Sequence, residues 1–249
     1  MSDFDRNYAA RGIGTAQSAA IDVGLRAYML RIYNYMAAGV ALTGVVAWFT
    51  YMNAAVTDAS GKLVGLTSVG YFSLGLTVMI VLFLGTLGIV FFMSFRINRL
   101  SVSTAALLFL VYAALLGVML SSVFLTYTHG SIARTFFISA ASFGALSLYG
   151  YTTQRDLSPV GSFLVMGLFG LILAMVVNIF LKSTGLDFAI SAIGVLIFAG
   201  LTAWDTQKIK ESYNVGFGAE VLAKGAVMGA LSLYLDFINL FLMLLRLFG

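Results

Sequence analysis

Seven long stretches with almost no charged residues divide this sequence, and short polar segments separate them. A helix of about 20 apolar residues crosses a hydrocarbon core of roughly 30 Å, so each stretch is long enough to span a membrane. Hydrophobic residues make up 61% of the chain and charged residues only 10%, whereas about 25% of a typical soluble domain is charged. We therefore predict an all-α, polytopic membrane protein whose seven transmembrane helices are residues 32–57, 70–93, 104–126, 135–153, 160–181, 188–206 and 226–249.

The basic residues predict the orientation of these helices. Residues 1–28 form a polar amino-terminal tail without the basic start and apolar core of a signal peptide, and residues 29–249 form one transmembrane domain. With the tail in the cytoplasm, ten of the 14 Lys and Arg residues lie on the cytoplasmic side and three lie outside, which agrees with the positive-inside rule. Arg246 is left over, and a last helix that turned back halfway would instead place the carboxyl terminus inside. The net charge of +4 thus reports topology and indicates no affinity for nucleic acid.

The last predicted helix carries an acid near its middle, Asp236. A carboxylate within the hydrocarbon region costs a few kcal/mol even on mild insertion scales, so we expect it to face the interior of the helix bundle. Gly229, Ser232, Asp236 and Asn239 follow helical spacing and share one face, while the other face is made of large apolar residues. A purely structural role, in which Asp236 hydrogen-bonds to a neighbouring helix, is the alternative.

A second acid, Asp205, lies at the cytoplasmic end of the sixth predicted helix, with Thr202 on roughly the same side. Because Thr206, Gln207 and Lys208 follow it, Asp205 is alternatively an interfacial residue in contact with water. If the sixth and seventh helices pack antiparallel, we expect Asp205 and Asp236 to meet in the cytoplasmic half of the membrane.

Two carboxylates in a dry site cannot both be ionised without a compensating cation, so we expect the pair to share a proton. Loss of that proton would leave an anionic site for a hard cation such as Ca²⁺, which prefers oxygen ligands. The pair is therefore both the predicted pH-sensing gate and the predicted metal contact. Arg96 and Arg99, in a loop on the same side, are candidates for a counter-charge that latches the gate. Side chains predicted to face a permeation path are Ser232, Asn239, Thr202 and Asn178.

Small residues recur at every fourth position in several spans, which predicts close helix packing. These rows are Ala113, Gly117 and Ser121; Ala140 and Gly144; and Gly170, Ala174 and Asn178.

Three stretches carry a resemblance to a known family: ALSLYLDFINLFLMLLR at 230–246, AGLTAWDTQKIK at 199–210 and LSLYGYTTQRDLS at 146–158. Over nearly all of residues 25–249, the chain resembles the bacterial inner-membrane branch of the Bax-inhibitor family. The resemblance implies seven helices with the last one central, and a pH-sensitive calcium leak controlled by an aspartate pair that corresponds to Asp205 and Asp236. It also implies a latch arginine after the second helix, for which Arg99 is weakly favoured over Arg96. Trp204 stands where many relatives have tyrosine, which removes a hydroxyl beside the pair.

Other functions of paired acids or metal sites fit the sequence less well. An intramembrane aspartyl protease also uses two aspartates on adjacent helices, but Leu233, Tyr234 and Leu235 stand where that class has a Gly-x-Gly-Asp turn. A zinc hydrolase needs several His or Cys ligands, and the chain has one His and no Cys. We therefore expect no enzyme activity and no cofactor, with Ca²⁺ as a permeant ion only.

The serious alternative is a non-transporting membrane protein that regulates a membrane protease or a stress response, with the amino-terminal tail as the docking element. The expected partners are the lipid bilayer and a membrane protease or other membrane protein, and the sequence does not specify the oligomeric state.

Overall fold

A computed structural model describes residues 3–58 and 63–249, with side chains described from residue 23 onward. Helix α1 covers Asp3–Ala54, and strands β1 (Ala55–Thr57) and β2 (Leu63–Leu66) follow it. The remaining helices are α2 (Ser68–Ser73), α3 (Leu76–Arg96), α4 (Val102–Leu120), α5 (Val123–Thr126), α6 (His129–Thr152), α7 (Ser158–Leu181), α8 (Thr184–Glu211) and α9 (Ala219–Phe248), with a single 3-10 turn at Ile97–Arg99.

Seven helical segments of the described chain are long and apolar enough to cross a membrane, as predicted. They are Val23–Ala54, Leu76–Arg99, Val102–Thr126, His129–Thr152, Ser158–Leu181, Thr184–Glu211 and Ala219–Phe248. Most begin earlier than predicted, and several end later, because polar and charged residues continue the helices beyond the apolar runs. Helix α8, for example, begins at Thr184 and extends through Lys208 and Lys210 to Glu211, beyond both ends of the predicted span 188–206. The predicted boundary between tail and domain at residue 28 falls inside the continuous helix α1.

The last helix, α9, lies at the centre of the bundle. In the most apolar 18-residue stretch of α9, 72% of the residues are buried inside the protein, whereas in the same length of α7 only 6% are. It packs against α8, α1, α6 and α4. A charged residue halfway along α9 is therefore surrounded by protein instead of lipid.

The connection between the first and second spans is a short antiparallel hairpin, whereas the sequence indicated only a turn at 58–62. Ala55 pairs with Leu66 and Val56 with Gly65, and residues 59–62 lie outside the described part. The second predicted span began at residue 70, but α2 ends at Ser73 and α3 starts separately at Leu76.

Small residues allow close helix contacts at one predicted position and at one that was not predicted. A Cβ on Gly117, in a predicted row, would overlap the backbone carbonyl of Thr43, so α4 meets α1 at backbone distance. A Cβ on Gly150, which lies outside the predicted rows, would overlap the carbonyl of Ala203, so α6 meets α8 in the same way. Gly144, by contrast, is exposed and has open space where a side chain would be. The row in the fourth predicted span thus does not serve helix packing as expected.

One end of the bundle, which we call the basic side, carries the α3–α4, α6–α7 and α8–α9 connections. Gln207 of α8 holds the α6–α7 connection there: its Nε2 donates to the Arg155 carbonyl at 2.8 Å and its Oε1 accepts from the Leu157 amide at 2.8 Å. Lys210 Nζ donates to the Tyr151 carbonyl at 2.9 Å. Two of the three motif stretches are therefore bonded to each other beside Asp205.

Candidate functional site

Asp205 and Asp236 come together where α8 and α9 pack against each other. Their carboxyl groups lie within hydrogen-bonding range, although Asp205 stands near the basic end of α8 and Asp236 near the middle of α9. The two helices run antiparallel, so the end of one reaches the interior of the other. The predicted meeting of the two acids is present in the structure.

The surroundings of Asp236 favour a proton or a cation at this contact. Asp236 is only 5% exposed, and its Oδ2 has no hydrogen-bond partner among the described residues. Two carboxyl oxygens can form a hydrogen bond with each other only when one of them is protonated and donates the hydrogen. A fully ionised pair would leave a buried oxygen unsatisfied, which costs free energy. The pair is therefore a place where one proton can be held or exchanged for a cation.

A cavity on the basic side leads to Asp205. Its volume is about 240 Å³, and Asp205, Lys208, Ser212, Tyr28, Gly225 and Ser232 are among its lining residues. Asp236 is not among them, so Asp205 stands between the cavity and Asp236. Of the four side chains predicted to face a path, Ser232 is the one that lines this space together with Asp205.

Lys208 is the cation that acts on Asp205. It lies one helical turn along α8 in the wall of the same cavity, and its charge interacts with the Asp205 carboxyl. Its Nζ lies 4.9 Å from the centre of the Trp204 ring, a cation–π contact that holds the ammonium group near the mouth of the cavity. Trp204 thus positions the Lys208 ammonium group through its ring, whereas a tyrosine at this position would have placed a hydroxyl beside the pair.

Beyond Asp236, towards the side opposite the basic side, aromatic rings of α6 and α9 pack against each other. Phe237 follows Asp236 and packs edge-to-face against Phe136 and Phe143 with ring centres 5.7 and 5.6 Å apart. Phe241, one turn further, lies 6.3 Å from Phe136. Water and ions that enter from the basic side therefore meet an apolar barrier after the aspartates.

The other predicted path residues occupy different positions. Thr202 is fully buried and donates its hydroxyl to the Phe198 carbonyl at 2.8 Å. Asn239 is half-buried and donates to the Leu235 carbonyl at 2.8 Å. Both side chains are thereby engaged with their own helices.

Asn178 lies far from the aspartates, at the end of α7 opposite the basic side. Its Oδ1 accepts a hydrogen bond from the Ser183 amide at 3.0 Å, and its carbonyl accepts from Lys182, whose φ of 49° turns the chain sharply. Its side chain therefore closes the turn between α7 and α8, and the structure does not bring it to the pair.

Arg96 and Arg99 lie at the α3–α4 connection, exposed on the basic side. The loop touches the start of α9, since Lys224 Nζ donates to the Asn98 carbonyl at 3.4 Å. Neither arginine forms an ion pair within the described residues, where Lys224–Glu220 is the salt bridge present. The structure thus brings the loop near α9 without bringing either guanidinium to the aspartates.

A buried chain of hydroxyls beside the pair escaped sequence reasoning. Tyr33 and Ser147 are hydrogen-bonded at 2.6 Å, and Ser147 and Thr206 at 2.9 Å. Thr206 donates onward to the Thr202 carbonyl at 2.8 Å. Thr206 directly follows Asp205, so α1 and α6 are linked to the helix that carries the acid. Hydroxyl residues are common in membrane helices, and nothing in their spacing marks these three as partners.

Asp156, in the α6–α7 connection, is an acid outside the spans that offers a contrast. Its Oδ1 accepts from the Ser158 amide at 2.8 Å, and this hydrogen bond and one from the Ser158 side chain lower the pKa of the exposed Asp156 carboxyl below its usual value.

Within the described residues, no group of three or more His, Cys, Asp or Glu side chains is gathered to hold a metal ion. Asp205 and Asp236 thus offer a cation two carboxylates.

Comparison with known proteins places the chain. The family described as inhibitor of apoptosis-promoting Bax1 matches residues 25–249. The protein RP147 of Rickettsia prowazekii is 49% identical over 94% of each chain. The inner membrane protein YbhL of Escherichia coli K12 is 46% identical over 91% of this chain and 92% of its own. A Caulobacter vibrioides protein is 43% identical over 100% of this chain and 98% of its own. The protein therefore belongs to the Bax-inhibitor family and is a polytopic membrane protein.

Proposed function

We propose that the protein is a pH-sensitive cation leak pathway, with Ca²⁺ as the permeant ion, and that a proton shared between Asp205 and Asp236 gates it. The observation that carries this proposal is the contact between the half-buried Asp205 carboxyl and the buried Asp236 carboxyl, where α8 packs on the central helix α9. The proposal involves no chemical conversion and no bound cofactor.

The location follows the same reasoning. YbhL is an inner membrane protein, and we assign the inner membrane to this chain as well. With the amino terminus in the cytoplasm, the basic side is the cytoplasmic side, in accord with the positive-inside rule. The cavity at Asp205 then opens to the cytoplasm.

The gate works through charge. With one proton between them, the carboxyl groups form a hydrogen bond that joins α8 to α9 in a dry setting. When the proton leaves, two negative charges repel each other inside the bundle, and the helices either separate or take up a cation. Ca²⁺ suits the second outcome because it binds carboxylate oxygens, and its binding requires their deprotonated form. The leak therefore rises with pH.

The rest of the path consists of the cavity on one side and the aromatic barrier on the other. Lys208 at the cavity mouth opposes cation entry, whereas Asp205 and Ser232 deeper in the wall attract it. Passage to the far side requires Phe237 and Phe241 to move away from Phe136, so we assign the present arrangement to the closed state. A latch role for Arg99 or Arg96 would require the α3–α4 connection to shift in another state.

Calcium flux in proteoliposomes tests the proposal. Purified protein in vesicles loaded with a calcium indicator should leak faster at alkaline than at acidic pH, and Asp205→Asn and Asp236→Asn should each remove that dependence. The matched control is Asp187→Asn, an exposed acid at the opposite end of α8. A pH dependence that persists in both pair variants would contradict the gate.

The aromatic barrier also favours a second function, because a closed bundle passes no ions. In this function the protein does not transport and instead binds membrane partners. Helix α7 contacts the rest of the bundle mainly through α8 and leaves most of its surface uncovered, which suits contact with a partner helix in a membrane protease or another membrane protein. The same flux assay separates the two functions, because this one predicts no calcium flux at any pH.

A further inference from the structure

A large cavity that the proposed function leaves unused lies between α1 and α6. Its volume is about 560 Å³, within the range of about 300–1,000 Å³ that is common for ligand pockets. Apolar residues form most of its lining, including Met29, Leu30, Phe143 and Leu148. Leu30 and Leu148 are 51% and 62% exposed, so its opening faces the hydrocarbon of the bilayer.

The cavity stays open because α1 and α6 do not pack closely against each other. Each packs on α9, and α6 also packs on α8, while Tyr33 and Ser147 form the bridge between α1 and α6 at the floor. Gly144 adds to the space, since no atom lies within 4 Å of the position that its Cβ would occupy. The backbone polar groups of α1 and α6 are hydrogen-bonded within their own helices, so the cavity needs no water to satisfy them. The space therefore suits an apolar acyl chain.

One end of the cavity is basic. Arg26 lines it at the basic side, about 10 Å along the helix from Tyr33. On the α6 side, Lys210 Nζ lies 5.9 Å from the centre of the Tyr151 ring, which is part of the lining. Arg31 lines the neighbouring hollow on α1. Arg26 and Lys210 thus stand at the basic end of the cavity, whereas Arg31 follows Leu30 further along α1 and Phe143 lies deeper in the membrane.

We propose that this cavity binds one anionic phospholipid from the leaflet on the basic side. An acyl chain packs between Leu30, Phe143 and Leu148, and the phosphate lies against Arg26, whose planar guanidinium matches phosphate oxygens. Lys210 adds positive charge at the same depth. The ligand is a phospholipid because a groove that opens sideways into the bilayer is filled from it, and the basic end selects an anionic headgroup over a zwitterionic one. This proposal is independent of calcium leak.

The test uses the full chain in nanodiscs that contain equal amounts of phosphatidylglycerol and phosphatidylcholine, followed by native mass spectrometry of the lipids retained. Wild-type protein should retain one phosphatidylglycerol in preference to phosphatidylcholine. Arg26→Gln should lower that preference about fivefold, the effect of one cation near an anionic lipid surface. Arg96→Gln, an exposed arginine on the same side but outside the cavity, should leave the preference unchanged.

A second variant fills the space. Gly144→Leu should abolish retention of the lipid, whereas Gly170→Leu, whose position on α7 is equally open, should retain it. Equal retention of the two phospholipids by wild type, or an unchanged lipid count in both Arg26→Gln and Gly144→Leu, would overturn the proposal. Displacement by free fatty acid but not by phosphatidylglycerol would assign the cavity to a fatty acid instead. A dimer that Gly144→Leu converts to a monomer would assign it to a second copy of this chain.

Discussion

Calcium binding to the pair should release protons in a fixed ratio. Two carboxyl groups in contact hold one proton between them, and Asp236 Oδ2 has no hydrogen-bond partner in the described part of the chain. A Ca²⁺ ion that binds both carboxylates must displace that proton, so about one proton should leave for each ion bound. The apparent association constant should then rise about tenfold per pH unit, or about 1.4 kcal/mol, wherever the proton is held.

The measurement is calcium binding to detergent-solubilised protein at pH 6, 7 and 8, together with proton release into a weakly buffered solution. Asp236→Asn leaves one carboxyl without a neighbour with which to share a proton, so both the pH slope and the proton release should disappear. The affinity itself should fall about 10- to 100-fold, since an interaction with a charged group contributes on the order of 1.5–3 kcal/mol. Asp187→Asn serves as the control, with the slope of the wild type.

A slope near zero in the wild-type protein would refute this reasoning, because binding would then not compete with a proton. So would a wild-type slope in Asp236→Asn, which would locate the titrating group elsewhere. If Asp205→Asn alone removed the slope, the proton would belong to one aspartate and would not be shared.

Three further predictions concern the surroundings of the pair. Removing the cation in Lys208→Met should move the midpoint of the leak to higher pH by less than about one unit, since the ammonium is exposed and partly screened; an unchanged midpoint in flux assays would show that it does not act on Asp205. Asp156→Asn should leave the midpoint of the leak unchanged. The pKa of Asp156 is lowered, so its carboxyl stays ionised at every pH above the usual pKa of an aspartate. Its contribution to stability is therefore lost only when the pH falls through the lowered pKa. Gly150→Ala should lower stability by about 1–3 kcal/mol, because its Cβ meets a backbone carbonyl of α8 that cannot yield; thermal melting in detergent should show no such loss for Gly170→Ala.

The fold and the two acids were predictable from the sequence because membranes impose a simple rule. Long uncharged stretches can only span, and a carboxylate such as Asp236 within one of them must face protein. Asp205 could be paired with it because the residues between the predicted spans 188–206 and 226–249 are enough to let the two helices pack antiparallel. These inferences depend on the cost of burying charge, which is large compared with the differences between alternative packings.

The details that depend on single side-chain contacts were not predictable. Asn178 is an intramembrane amide by sequence, yet its side chain accepts a hydrogen bond from a turn that sequence spacing does not reveal. Gly144 belongs to a row of small residues but lines the α1–α6 cavity, whereas Gly117 of another row contacts a neighbouring helix. The Tyr33–Ser147 bond joins residues 114 positions apart. Each outcome depends on differences of about 1 kcal/mol that residue type and period do not encode.

The most direct test of the account is the ratio of calcium leak rates at pH 8 and pH 6 in proteoliposomes, measured in parallel for wild type and Asp236→Asn. The account predicts a ratio well above one for the wild type and a ratio near one for the variant. The wild-type ratio approaches about 100 if opening releases one proton, because the leak rate then rises about tenfold per pH unit. Equal ratios in the two proteins would contradict the claim that a proton held between Asp205 and Asp236 controls the passage of cations.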